Sequence, residues 1–231
     1  MQRLWCLMIV AAVSLSLGTL AQSGEKAGAI FNGKDLTGWK LRSDDKKKHS
    51  WAVGTASVDS KGALAFASGG ADMVNTRGGG SDIYTEQEFG DCVVEAEVMV
   101  PKGSNSGIYL MGRYEVQILD SFGKDKLTYQ DMGAIYSVAV PKINACKKAG
   151  EWQKFVIEFQ APKFDGDKKT ANAKFVKVTL NDVVLHENVE MKGPTPGGLT
   201  GKEAATGPIM FQGDHGPVAF RNIKVTPVAV K

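Results

Sequence analysis

Residues Gly103–Ser121 read GSNSGIYLMGRYEVQILDS. Gly103, Ser104, Asn105, Ser106 and Gly107 make a turn-rich opening, and two strands are expected after it, over Ile108–Met111 and Arg113–Leu119. Successive side chains of a strand point to opposite faces. In the second strand Tyr114, Val116 and Ile118 therefore share one side, which suits a core. Arg113, Glu115, Gln117 and Leu119 share the other. That side is either the wet face of an antiparallel sheet, with an Arg–Glu pair on it, or the floor of a site.

The same alternation recurs outward in both directions. In Cys92–Val100, Val94, Ala96, Val98 and Val100 alternate with Glu95, Glu97 and Met99, which predicts a half-buried strand with its glutamates toward solvent. Trp51–Val58 and Ala63–Ala67 read as strands around an Asp59–Gly62 turn, Ile83–Thr85 as a brief extended piece, and Phe155–Gln160 as another alternating strand. Phe175–Leu180 and Val183–Glu187 flank Asn181–Asp182, a two-residue hairpin turn. Pro208–Gln212 and Val218–Thr226 are joined by Gly213–Pro217. Gly69–Gly80, Phe164–Thr170 and Gly193–Gly201 are expected loops. No segment sustains an apolar repeat at helical spacing, so the expectation is an all-β sandwich.

The chain has 231 residues, enough for one large β domain. A formal charge of +3 is small and scattered, with Lys46–Lys48 and Lys168–Lys169 in hydrophilic loops, so no nucleic-acid partner is expected. Arg3, the uncharged apolar run Leu4–Leu17, and Thr19 and Ala21 before Gln22 form a secretory signal pattern. The expected division is a signal over 1–21, a linker over 22–28 and one domain over 29–231, secreted or periplasmic. The apolar run is too short to span a membrane, and no cysteine follows it to carry a lipid anchor. Cys92 and Cys146 remain after cleavage, and in an oxidising compartment they either pair or stay as two buried thiols.

Candidate chemistry clusters at Arg113–Asp120 and at FQGDHGPVAFRN, which places Gln212, Asp214 and His215 in a glycine-flanked loop. A loop histidine can exchange protons near neutral pH. His49 and His186 sit in ordinary polar contexts. Arg221 falls in phase with Ile223 and Val225, which calls for a structural ion pair. Gly78–Gly80 lacks the following Lys-Ser/Thr of a phosphate loop. With no Rossmann fingerprint or nucleophile elbow either, no nucleotide cofactor is expected.

Ala29–Trp39, AIFNGKDLTGW, followed by NSGIYL, YEVQILDS, GAIY at Gly133–Tyr136 and GEWQ at Gly150–Gln153, resembles the 3-keto-disaccharide hydrolase domain family over about Ala29–Pro227. The resemblance implies a concanavalin A-like jelly-roll β-sandwich and an enzyme acting on glycosides whose sugar C3 is already a ketone. An oxidoreductase that makes the keto-sugar is the implied partner. Such a ketone acidifies the C2–H, so a base near neutral pKa and a stabiliser of the developing oxyanion are needed. His215 is the expected base. Arg113, or a divalent cation such as Ca²⁺ on Glu115 and Asp120, is the expected oxyanion stabiliser. Gln117, Gln212, Asp214 and Tyr109 are expected to contact the sugar.

Two rivals remain. A retaining glucanase would carry Glu-x-Asp-x-x-Glu, whereas this chain has Glu115-Val-Gln117-Ile-Leu-Asp120. Its outer carboxyls would lie roughly 16 Å apart on a regular strand, against about 5–5.5 Å for a retaining pair. A lectin-like module would use Trp39, Trp51, Trp152 and the tyrosines to stack on sugar without transforming it.

Overall fold

The computed structural model describes residues 28–43 and 50–228. The signal pattern, most of the linker, Lys46–Lys48 and His49 lie outside the described residues. Strands β1 to β8 are Gly28–Ala29, Trp39–Leu41, Trp51–Val58, Leu64–Asn75, Ile83–Phe89, Cys92–Met99, Asn105–Leu110 and Tyr114–Leu119. Strands β9 to β15 are Trp152–Gln160, Lys163–Asp165, Lys168–Ala171, Ala173–Leu180, Val183–Met191, Gly207–Phe211 and Val218–Pro227. No helix occurs among the described residues, and therefore none that could cross a membrane.

Two antiparallel sheets face each other as an all-β sandwich of the concanavalin A-like jelly-roll type. One runs β13-β12-β9-β6-β15-β4-β3, with β1 beside β15, and the other runs β2-β5-β14-β7-β8. Their inner faces carry the alternating apolar residues: Val94, Ala96 and Val98 from β6, Phe155 and Ile157 from β9, Ile108 and Leu110 from β7, and Val116 and Ile118 from β8. At the centre Phe211 of β14 stacks on Phe220 of β15, ring centroids 3.9 Å apart. Trp39 and Trp51 flank this pair, each against one of the two phenylalanines. Burial of such side chains contributes about 1.5–3 kcal/mol each. Trp39 and Trp51 are thus core residues, and Trp152 lies under the Arg221 guanidinium rather than open to a sugar.

Several local expectations change. β4 continues through the glycine-rich stretch to Asn75, because residues 68 to 71 loop out as a bulge while Gly54 pairs with Asp72 and Thr55 with Ala67. Gly69 and Gly70 supply the positive φ that this excursion needs (79° and 124°). Lys163–Asp165 and Lys168–Ala171 pair into a small ribbon where a loop was expected. Gly28, assigned to the linker, already pairs with Val225. A bulge at Asn222 (φ 51°) reverses the phase of β15, so Arg221 does not share a face with Ile223 and Val225. Its Nε donates to Glu97 Oε2 at 2.7 Å, the ion pair expected of it. Asn181 and Asp182 close the β12–β13 hairpin with φ of 52° and 66°, as their turn chemistry requires.

The cysteines are separate and free. Cys92 opens β6 with its thiol pushed up to about 12, chiefly by burial. Cys146 lies in the loop before β9, where Gln153 donates to its sulfur.

Candidate active site

β7 and β8 form a hairpin closed by Met111 and Gly112, both at positive φ (55° and 62°), with the Arg113 N–H donating to the Leu110 carbonyl. In its register Tyr109 opposes Glu115 and Gly107 opposes Gln117. The Tyr109, Glu115 and Gln117 side chains point away from the core and floor a hollow of about 240 Å³ on the outer face of the smaller sheet. That is below the roughly 300–1,000 Å³ of drug-sized pockets and suits one small polar unit. Gln212 and His215 wall it on one side, and Tyr136, Pro196 and Gly197 on the other.

Hydrogen bonds assemble the walls from distant parts of the chain. Ser106 donates to the Gln212 carbonyl at 2.8 Å, and Gln212 N–H donates to Gly107 O at 3.0 Å, fixing the exit of β14 against β7. Asn75 then holds the histidine turn by donating to the carbonyls of Gly213 and Gly216, both at 2.9 Å. Gly216 packs so close to Ser104 and Asn105 that a Cβ has no room. On the opposite wall Thr195 accepts from the Glu115 N–H at 3.0 Å and donates to the Arg113 carbonyl at 3.0 Å. His186, buried against the Gly133 carbonyl at 2.9 Å, supports the segment that delivers Tyr136.

Glu115 is the electrostatic centre. It is only 2% exposed. Burial pushes its carboxyl up to about 8, and the negative charges of Asp82 and Asp214 add to this, while a hydrogen bond with Tyr109 works against it. Burial and Glu115 itself push the Tyr109 phenol far above its ordinary value. His215 stands at the mouth, about half exposed, with Nδ1 hydrogen-bonded to the Asp214 carboxylate. An amide pair, Gln117 Nε2 to Asn105 Oδ1 at 3.1 Å, completes the floor.

The structure therefore brings together Glu115, Gln117, Tyr109, Gln212 and His215, with Asp214 on His215. It removes Arg113 from the set. As a hairpin-turn residue, Arg113 escapes the alternation of β8, and its guanidinium donates to the carbonyls of Lys202 and Met111, both at 2.7 Å. Asp120 is also elsewhere, since its carboxylate accepts the Gly103 N–H at 2.9 Å and does not line the hollow. Glu115 floors the hollow and Asp120 does not, so the two are not paired in its lining. Among the described residues no group of His, Cys, Asp and Glu side chains forms a metal cluster. Sequence reasoning missed Asn105, Tyr136, Pro196 and Gly197 as lining residues, and the only signals were that NSGIYL, which opens with Asn105, and GAIY, which ends with Tyr136, were motifs at all.

Gly107 carries a testable consequence. Its missing Cβ is where the Glu115 carboxyl sits. Gly107→Ala is expected to push that carboxyl aside and cost on the order of 10²-fold in turnover. The thermal midpoint should move only a few degrees, because φ at Gly107 is not positive. Wild-type turnover in this variant would show that the carboxyl has no fixed role.

Comparison with known proteins agrees with this architecture. A crystal structure from Parabacteroides distasonis ATCC 8503, provisionally assigned as a glycosyl hydrolase, superposes with a TM-score of 0.67 at 28% identity, covering 88% of this chain and 84% of that one. A second from the same organism shares the fold, with a TM-score of 0.63 at 20% identity over 89% of this chain and 95% of that one. A 3-keto-disaccharide hydrolase of Bacteroides thetaiotaomicron is 32% identical over 98 residues, 42% of this chain. The matched region is 31% of that relative's length. The family model of the 3-keto-alpha-glucoside-1,2-lyase-like domain matches residues 26–226, so the chain belongs to that carbohydrate-active family.

Proposed function

We propose that this chain is an exported enzyme that cleaves 3-keto-glycosides by removing the C2 proton and eliminating the C1 substituent. The observation that carries the reading is the convergence of a buried, proton-holding carboxyl, Glu115, with a solvent-accessible histidine, His215, in one sugar-sized hollow.

In this reaction His215 takes the C2 proton, its tautomer held by Asp214. The electrons of the C2–H bond pass toward the C3 oxygen. With its carboxyl raised to about 8, Glu115 is mostly protonated at neutral pH and donates a hydrogen bond to that oxygen. It takes the role first expected of Arg113. The electrons then return, C1=C2 forms, the C1–O bond breaks, and the leaving oxygen receives a proton from the imidazolium. Water added to the enone, here or in a partner protein, completes net hydrolysis. Gln117 and Gln212 hold sugar hydroxyls. An oxidoreductase must supply the ketone.

His215→Ala is expected to reduce release of p-nitrophenol from a 3-keto aryl glucoside by about 10²- to 10⁴-fold, with the unoxidised glucoside inert throughout. Unchanged turnover removes His215 from the base role. Saturable sugar binding with no turnover by the wild type would make the hollow a lectin-like site instead.

A further inference from the structure

Two of the segments that wall the hollow lie on either side of β14 in sequence, and one ion pair touches both. Arg42 and Asp82 lie one step beyond the last pairing of β2 with β5, where the Arg42 N–H donates to the Asp82 carbonyl at 2.9 Å. Alternation puts both side chains on the outer face, the face of the hollow. Arg42 Nη1 donates to Asp82 Oδ2 at 3.0 Å and to the Gly197 carbonyl at 2.8 Å, and Nη2 donates to the Gly198 carbonyl at 2.9 Å. The other oxygen of Asp82, Oδ1, accepts the Gly213 N–H at 2.9 Å. Asp82 is almost fully buried while Arg42 is partly exposed.

We infer that the Arg42–Asp82 pair is the positioning element of the site: it sets the Pro196–Gly198 wall and the Gly213–His215 turn relative to one another. The inference deepens the proposed reaction and rests on it only for its kinetic part. A planar guanidinium with forked donors can hold a carboxylate and two successive carbonyls at once, which a lysine cannot. A carboxylate with two accepting oxygens can then pass that constraint to a backbone N–H on the second loop. Neither side chain lines the hollow, so the pair acts on the site through the two backbone segments it holds. Asp82 also contributes negative charge to the surroundings of Glu115, together with Asp214, while Tyr109, Tyr136 and His215 are the other titratable groups around the hollow.

The test is hydrogen–deuterium exchange on the full chain, with Arg42→Ala, Arg42→Lys and Asp82→Asn. Arg42→Ala is expected to speed exchange on the order of 10-fold in peptides covering both 194–200 and 212–217 while the core strands keep their protection. Arg42→Lys should recover part of that protection, and it serves alone if the alanine variant does not fold. With a 3-keto aryl glucoside, kcat/KM of Arg42→Ala should fall 10- to 100-fold. Asp82→Asn removes a negative charge near Glu115, so the alkaline limb of its pH profile should move to lower pH. Wild-type protection of both segments in Arg42→Ala and Arg42→Lys, or loosening of 194–200 alone, overturns the inference. Loosening of both segments in a protein whose wild type turns over no keto-sugar would leave the clamp standing and sink the proposed reaction instead.

Discussion

Replacing Glu115 with glutamine is expected to raise the stability of the protein at alkaline pH while weakening catalysis. The folded carboxyl titrates at about 8 against an ordinary 4.5, because burial disfavours its charged form. Between those values the native state holds a proton that the unfolded chain has released. Stability therefore falls as pH rises across that window, by up to about 1.4 kcal/mol per pH unit, and levels off above it. Glutamine has no proton to lose, so Glu115→Gln removes the slope. Urea denaturation at pH 5 and pH 9 measures this: the two proteins should be close at pH 5, and the variant more stable by several kcal/mol at pH 9. Parallel pH dependences would mean that Glu115 is ionised in the fold and cannot be the neutral donor of the mechanism. Glu115→Ala, which removes the donor outright, should reduce turnover by about 10²- to 10³-fold.

The second large effect is in the core. Phe220→Ala should cost about 3–5 kcal/mol, the range for truncating a fully buried aromatic side chain. It empties one half of the Phe211–Phe220 stack that joins the two sheets and leaves Trp51 without its ring partner. The consequence reaches the site. β14 ends at Phe211 and β15 begins two residues before Phe220, so the turn carrying Gln212 and His215 is strung between the two stacked strands. Phe220→Leu, which keeps most of the volume, should cost much less. Denaturation midpoints of the two variants decide it, and a loss below 1 kcal/mol for the alanine would place the sheet-to-sheet anchor elsewhere.

Much of the fold was legible because its signals are local. Strand alternation depends only on neighbouring residues, so the half-buried strand from Cys92 and the inner face of Tyr114, Val116 and Ile118 could be read directly. The Asn181–Asp182 hairpin was legible for the same reason, since positive φ is a property of those two residues. Errors came where one residue changes the phase. Gly112 turns Arg113 out of the strand that its spacing suggested, and Asn222 reverses β15 under Arg221. The long continuation of β4 was hidden because glycines that form a bulge look, one by one, like glycines that form a loop.

The amino-acid order by itself determined the β class, the alternating inner and outer faces, the polar row Glu115–Gln117, and family membership through several motifs in sequence along this one chain. Tertiary structure alone decided which polar residues meet. Glu115 acquires its proton-holding character from burial beside Asp82 and Asp214, and the hollow exists because Arg42, Asn75 and Thr195 tie together segments 80 or more residues apart. Desolvation and through-space charge depend on distances in three dimensions, and these are set only when both sheets have closed on their common core.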